Sequence, residues 1–206
     1  FKYYPKLIVI CIMGNSRMAA GQRKIFKITL LGDGAVGKTS LRKTYLGEGF
    51  KDGYSMTIGA DFAVKRLRID DQDFVAQIWD LAGQQRFSAV REVYYRGTSG
   101  CLLVFDISRR SSFENIPSWI AELLKNNSNR VVPIVLIGNK SDLRATAKDP
   151  IMREQSEEYA RSLSQWSGFS VPYIETSAKT GENVDEAFKT LLKNIVLFYE
   201  KLYAQQ

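Results

Sequence analysis

A chain of 206 residues, 45% hydrophobic and 25% charged, has the size and balance of one soluble globular domain with one core. The formal charge of +7 is uneven: Lys2, Lys6, Arg17, Arg23, Lys24 and Lys27 precede the first acid, Asp33, and the remainder is nearly balanced. That distribution excludes a nucleic-acid face spread over the folded domain, although a basic arm could sit near an anionic membrane. The absence of histidine excludes His-based acid/base catalysis and His metal sites.

In chain order, residues 1–23 read as a leader, disordered or not native, with Met18 a plausible start. Its apolar run Leu7–Met13 is too short to span a membrane and only faintly resembles a signal peptide. Met13-Gly14 lacks the Ser or Thr that myristoylation wants, because Met18 stands there. Residues 24–203 read as the folded domain, and 204–206 as a short tail.

Within the domain, Lys24–Leu31 is a predicted strand ending in a Gly-rich turn, and a helix follows from Lys38 to about Leu46. Ala60–Ile69 alternates as a half-exposed strand, and Asp70-Asp71 turns it into a second strand, Phe74–Trp79, as a hairpin. Gly100–Phe105 and Val131–Ile137 are continuous apolar runs, as in strands buried on both faces. Cys101 falls in the first of these and reads as a buried free thiol. With Cys11 the only other cysteine, no disulfide framework is expected and a reducing cytoplasm fits. Ser111-Ser112 caps a predicted helix running to about Lys125. Met152–Leu163 is a further helix and Val171–Glu175 a short strand. Asn183–Tyr203 is a long helix with Val184, Ala187, Phe188, Leu191, Leu192, Ile195 and Val196 on its apolar stripe. This order predicts an α/β fold: a six-stranded, mostly parallel sheet with one antiparallel strand and about five helices on its two faces. Ligands of such sheets bind beyond the carboxyl ends of the strands.

Four segments carry chemistry, and each falls at such an end. Gly32-Asp-Gly-Ala-Val-Gly-Lys-Thr39 matches G-x-x-x-x-G-K-[ST] between strand and helix. Asp33, Gly34, Ala35, Val36, Gly37, Lys38, Thr39 and Ser40 therefore read as a phosphate cradle. Its glycines let the backbone wrap the anion, and its free N–H groups at the helix start point at it. Lys38 can neutralise β- and γ-phosphate charge, and the Thr39 hydroxyl can reach Mg²⁺. In Trp79-Asp80-Leu-Ala-Gly83-Gln84, Asp80 can hold Mg²⁺ through water. Gly83 permits close approach to a γ-phosphate, and Gln84 can orient an attacking water. Alone, that segment is a strand-end Asp followed by a turn; beside the phosphate cradle it becomes functional.

Asn139-Lys-Ser-Asp142 follows the second buried strand. Asp142 can accept from guanine N1–H and the exocyclic amine, a donor pair that adenine lacks. The Lys140 stem can lie over the base, and Asn139 can tie loops together. As a lone tetrapeptide it would be a polar turn. After the last strand, in Glu175-Thr-Ser177-Ala178-Lys179, backbone N–H groups of Ala178 and Lys179 can meet the guanine oxygen; the alternative is a helix-capping loop.

These motifs, in this order from Lys24 to Tyr199, resemble the Ras superfamily of small GTPases, whose three-layer P-loop fold matches the predicted order. Thr57-Ile-Gly-Ala-Asp-Phe62, Trp79-Asp-Leu-Ala-Gly-Gln-Gln-Arg-Phe87 and Tyr94-Tyr-Arg-Gly97 look most like its Rab branch. The resemblance implies GTP or GDP with Mg²⁺ as ligands, Thr57 closing on Mg²⁺ and γ-phosphate, Phe50 packing against the guanine and Tyr54 covering the phosphates. It implies mobile switch segments at about 50–59 and 81–93, ordered by the γ-phosphate. Gln84, Lys38 and Thr57 become the catalytic set, with Thr39, Thr57 and Asp80 around the metal. Effector, exchange-factor and GTPase-activating proteins become the expected partners of a monomer. The family's effector-facing aromatic trio falls on Phe62, Trp79 and Tyr94, with ordinary packing as the alternative. Two positions depart from the Rab pattern, Leu81 and Gln85, where Thr and Glu are usual. The C-terminus Leu202-Tyr-Ala-Gln-Gln206 has no cysteine for prenylation. The protein is then either soluble in the cytoplasm or held at a membrane by a partner or by its basic leader. Ser55 stands where a switch arginine would be, so an arginine finger in cis is not expected and hydrolysis should be slow. The rival readings are a scaffold that binds nucleotide without hydrolysing it, against which Gln84 and Thr57 argue, and an ATP-dependent kinase-like enzyme, against which Asp142 argues.

Overall fold

The computed structural model describes residues 24–50, 56–69 and 72–204. The leader, Tyr54, Ser55, the Asp70-Asp71 turn and Gln205-Gln206 lie outside the described residues. Six strands form one sheet: β1 (Lys24–Leu31), β2 (Ala60–Ile69), β3 (Gln72–Leu81), β4 (Gly100–Asp106), β5 (Ile134–Asn139) and β6 (Tyr173–Thr176), in the order β2-β3-β1-β4-β5-β6. Only β2 runs antiparallel to its neighbour, from Ala60 opposite Leu81 to Ile69 opposite Gln72. Every residue of β4 and β5 is buried, as their unbroken apolar character requires of strands covered on both faces. Edge strand β2 alternates half-buried and exposed residues instead.

The helices are α1 (Lys38–Tyr45), α2 (Ser88–Tyr95), α3 (Arg110–Glu114), α4 (Ile116–Asn126), α5 (Arg153–Ser167) and α6 (Val184–Ala204). Leu41 and Tyr45 of α1, with Val184, Ala187, Phe188, Leu191, Leu192 and Ile195 of α6, close one face of the sheet over Ile28, Leu30, Val104 and Ile137. Tyr45 and Phe188 stack with ring centroids 3.8 Å apart. On the other face, Tyr95, Trp119, Ile120, Leu123, Ala160 and Leu163 of α2, α4 and α5 cover Leu31, Leu103, Phe105 and Leu136. Cys101 is buried there as a free thiol, and burial pushes its pKa up. Among the described residues no helix is long and apolar enough to cross a membrane.

Several boundaries differ from those expected, each for a local reason. The helix predicted from Ser111-Ser112 to Lys125 is two helices. Arg109 is the N-cap position of the first, and Ser112 lies inside α3, where its hydroxyl donates to Arg109 O at 2.7 Å and accepts from Asp106 N at 3.0 Å. The chain breaks at Asn115 because Pro117, at the start of α4, has no N–H to continue α3 and its ring crowds the preceding turn. Strands β5 and β6 begin after Pro133 and Pro172 for the same lack of a donor, although both prolines still lend carbonyls to Cys101 and Leu136. Helix α5 continues past Leu163 to Ser167 and stops at Gly168, whose φ of 76° is the left-handed conformation of a helix end.

Because β1, β3, β4, β5 and β6 are parallel, their carboxyl ends Leu31, Leu81, Asp106, Asn139 and Thr176 share one edge of the sheet. All four chemical motifs leave from that edge.

Candidate active site

A cavity of about 730 Å³ opens at this edge. Of the residues expected there, Gly34, Ala35, Gly37, Lys38, Thr39, Ser40, Phe50, Thr57, Gly83, Gln84, Asn139, Lys140, Asp142, Ala178 and Lys179 line it. Asp80, Val36 and Ser177 are fully buried behind the lining. The Asp33 carboxylate turns away from the cavity, accepting from Trp119 Nε1 at 2.8 Å and Asn115 Nδ2 at 2.9 Å. Tyr54 lies outside the described residues.

The loop between β1 and α1 needs its glycines. Gly37 caps α1 with φ 97°, and a Cβ there would run into the Asn139 amide. Across the loop, a Cβ on Gly83 would collide with the Asp33 carbonyl and the Lys38 ammonium. Lys38 is buried and donates to Gly32 O at 2.6 Å and Asp33 O at 2.8 Å. Burial lowers its pKa to about 8, against the attraction of Asp80 and Asp33. The desolvation that lowers it also magnifies the attraction between its protonated form and a phosphate.

Under the loop, the three expected metal-site residues meet. Thr39 Oγ1 donates to Asp80 Oδ2 at 2.5 Å and lies 3.0 Å from Thr57 Oγ1, which is 3.4 Å from the same carboxylate oxygen. Asp80 is fully buried and its other oxygen, Oδ1, has no hydrogen-bond partner. Burial raises its pKa, opposed by Thr39 and Lys38. A buried carboxylate oxygen without a donor, beside two hydroxyls, is a hard-oxygen environment that fits a small divalent cation. Among the described residues no cluster of three His, Cys, Asp or Glu exists. This donor set suits Mg²⁺, which takes one or two protein carboxylates and completes its shell with water and phosphate.

At the cavity's other end Asn139 joins three segments. Its Nδ2 donates to Val36 O at 2.8 Å, and its Oδ1 accepts from Thr176 Oγ1 at 3.1 Å and Ala178 N at 3.2 Å. Lys140, with a left-handed φ of 69°, anchors its ammonium on Asp106 Oδ2 at 2.6 Å. Burial disfavours the Asp106 charge, but hydrogen bonds from Lys140 and Ser108 outweigh it and hold the pKa below the usual range. Asp142 is fixed by Ser177 Oγ, which donates to its Oδ1 at 2.6 Å. Asp142, Ala178 and Lys179 together line this end of the cavity.

Motif reading misses a buried clamp behind Gln84. Arg91 of α2 is fully buried and forms a two-pronged pair with Glu122 of α4, both bonds 2.8 Å. Its third nitrogen donates to Ala82 O at 2.8 Å and Gln84 O at 2.6 Å, and the Tyr95 hydroxyl donates to Glu122 at 2.9 Å. The carbonyls flanking Gly83 are thus held by one guanidinium. Nothing in sequence separates Arg91 from a solvated helix arginine, since its neighbours Glu92 and Val93 are exposed. Cutting Glu122 to Ala leaves that guanidinium buried without a countercharge, and the fold should lose about 3–5 kcal/mol. Urea denaturation of wild type, Glu122→Ala and Glu122→Gln checks this; a loss under about 1 kcal/mol for Glu122→Ala would show the pair to be dispensable.

Phe62 stacks on Trp79 at 5.0 Å between centroids, Tyr94 meets Trp79 at a tilt at 5.6 Å, and Phe62 remains 54% exposed. Packing and exposure therefore coexist on this face.

Known proteins match along the same span. A family model described as Ras family matches residues 27–197. Ras-related protein RABG3f of Arabidopsis thaliana is 42% identical over 180 residues, covering 86% of this chain and 85% of its own. Ras-related protein Rab7A of Mesembryanthemum crystallinum is 42% identical over 182 residues, 87% of this chain and 86% of its own. Ras-related protein Rab-13 of Rattus norvegicus is 41% identical over 180 residues, 87% and 84% of the two chains. Similarity of that length and degree shows the family, and the chain is a small GTPase belonging to the Rab branch of the Ras family.

Proposed function

We propose that this GTPase is a molecular switch whose cavity takes GTP or GDP with Mg²⁺, and that slow hydrolysis of GTP resets it. The observation that carries the reading is the convergence of four separated segments on one cavity, cross-linked through Asn139 to Val36 and Ala178 and through Asp80 to Thr39 and Thr57. Asp142 accepts from guanine N1–H and its amine, the Lys140 stem covers one face of the base, and Phe50 closes the other side. Backbone N–H groups from Asp33 to Ser40 and the Lys38 ammonium hold the phosphates. Thr39, Thr57 and Asp80 would hold the metal between them. Mg²⁺, when bound, neutralises charge on the β- and γ-oxygens. Gln84 orients the attacking water, and the Gly83 N–H meets the γ-phosphate.

Loss of the γ-phosphate frees Thr57 and Gly83 together, and the described chain next to each relaxes. Exchange factors, GTPase-activating proteins and effectors read that change, the last at the Phe62-Trp79-Tyr94 face, in a Rab-like trafficking role. The protein works as a monomer in the cytoplasm, peripheral at a membrane through a partner.

Chelating Mg²⁺ tests the metal's part. Losing several kcal/mol of charge neutralisation should raise the rate of GDP release by about 10²-fold or more. Release of a fluorescent GDP analogue measured with and without EDTA reads this directly, and an unchanged rate would remove Thr39, Thr57 and Asp80 from the nucleotide's binding energy.

A further inference from the structure

We infer that Arg91 is a positioning residue for the terminal phosphate: it fixes the peptide before Gly83 and so sets how far the site favours GTP over GDP. The inference rests on the nucleotide reading above. Arg91 is fully buried and lies outside the lining of the nucleotide cavity. Its Nε and Nη2 are engaged by Glu122, which leaves Nη1 to hold Ala82 O at 2.8 Å and Gln84 O at 2.6 Å. Its guanidinium also lies 4.6 Å from the ring centroid of Trp119, whose Nε1 donates to the Asp33 carboxylate at 2.8 Å. Two residues of α4 thus brace the group that grips the chain on either side of Gly83.

Peptide geometry turns that grip into an orientation. Among the described residues no peptide bond is cis. The Ala82 carbonyl and the Gly83 N–H therefore share one plane and point in opposite directions. Holding the carbonyl on Arg91 aims the N–H away from Arg91. The hold is needed because Gly83 has no Cβ to oppose a half-turn of that peptide. A larger residue cannot supply the restraint, since a Cβ there would meet the Asp33 carbonyl and the Lys38 ammonium.

The same tie reaches the second group that meets the γ-phosphate. Ala82 N donates to Gly59 O at 2.9 Å, two residues from Thr57. Ala82 is therefore joined to Arg91 through its carbonyl and to the Thr57 segment through its N–H. In the proposed function GTP engages Thr57 and Gly83, and GDP lacks the phosphate that would do so. A clamp that orders both in advance lowers the ordering cost of binding GTP and leaves GDP binding untouched.

Replacing Arg91→Met, Tyr95→Phe and Glu122→Leu together frees the two carbonyls without leaving a buried charge, an exchange that is often neutral for folding. Wild type, this triple variant and Arg91→Lys are titrated, with Mg²⁺ present, against GDP and against a non-hydrolysable GTP analogue. In the triple variant, GDP affinity should stay within about 3-fold of wild type. Analogue affinity should fall by about 10- to 10²-fold, the worth of one hydrogen bond to a charged group. Arg91→Lys keeps the charge but lacks the planar fork, so its loss should be intermediate. As a second readout, the Gly83 amide resonance of wild type should move when the analogue replaces GDP, and in the triple variant that movement should be lost. A clamp that only stabilises the fold would weaken both nucleotides in parallel. An unchanged ratio of the two affinities in the triple variant, or in Arg91→Lys should the triple variant not fold, overturns the assignment. So does a Gly83 movement of wild-type size in the triple variant. If wild type binds no guanine nucleotide, the reading of the site itself falls and this assignment with it.

Discussion

Asp142→Asn should turn a guanine-selective site into one that prefers xanthine, with GTP affinity falling by about 10³-fold or more and XTP affinity rising correspondingly. Matching of donors to acceptors sets the preference. An ionised Asp142 presents acceptors only, and the guanine edge facing it presents two donors. Asparagine keeps the shape but replaces one acceptor with an amine, which then faces guanine's donors. Xanthine carries a carbonyl where guanine has the exocyclic amine, so it accepts from that new donor. A site built to hydrogen-bond a ligand group rejects the mismatched analogue by about 10⁴–10⁵, because buried partners are left unpaired. Ser177 holds the 142 side chain through a 2.6 Å bond, so the swapped amide has little freedom to turn away. Isothermal titration of both proteins with GDP and XDP reads the switch; retained preference for GDP in Asp142→Asn would move base recognition elsewhere.

Gln84→Leu should slow hydrolysis of bound GTP by about 10²–10³-fold, the scale of a positioned proton-handling or water-orienting group. Nucleotide affinity should hardly change, because in the proposed mechanism the Gln84 side chain places water and does not bind phosphate. Leucine is close in size, and the backbone at this position is held independently by Arg91 through the Ala82 and Gln84 carbonyls. A loss of rate is then assignable to the missing amide and not to collapse of the segment. Phosphate release in a single turnover gives the rate and nucleotide titration the affinity. An unaltered rate would show that the water is oriented by another group.

Much of this architecture was legible in the residues. Lys24–Leu31 and Ala60–Ile69 coincide with β1 and β2 because period-two alternation and a Gly-rich exit are unambiguous. The buried β4 and the stripe of α6 are found by apolar continuity and 3.6-residue spacing. The cradle around Lys38 and the Asn139-Asp142 loop were legible for another reason: their chemistry needs particular residue types in a short, contiguous run. What stayed hidden acts across distance in sequence. Glu122 reads as one more charge on a helix until α2 sets Arg91 against it, and Arg109 reads as a solvated turn residue until β4 brings it to Gly34. The break at Asn115 was masked by two serines that look like a cap, while Pro117, five residues past Ser112, starts a second helix. Asp33, whose backbone belongs to the phosphate loop, also gives its carboxylate to Trp119 and Asn115, a tie from the loop to α4 that the motif does not show.

In the proposed function, one sheet edge of this chain holds a guanine nucleotide through its metal. Purified full-length protein, denatured and its small molecules separated by anion-exchange chromatography, should release GDP or GTP in about one equivalent per chain. The stripped protein should take up either again only when Mg²⁺ is supplied. Protein that carries no guanosine phosphate and shows no magnesium-dependent uptake of one would contradict the account.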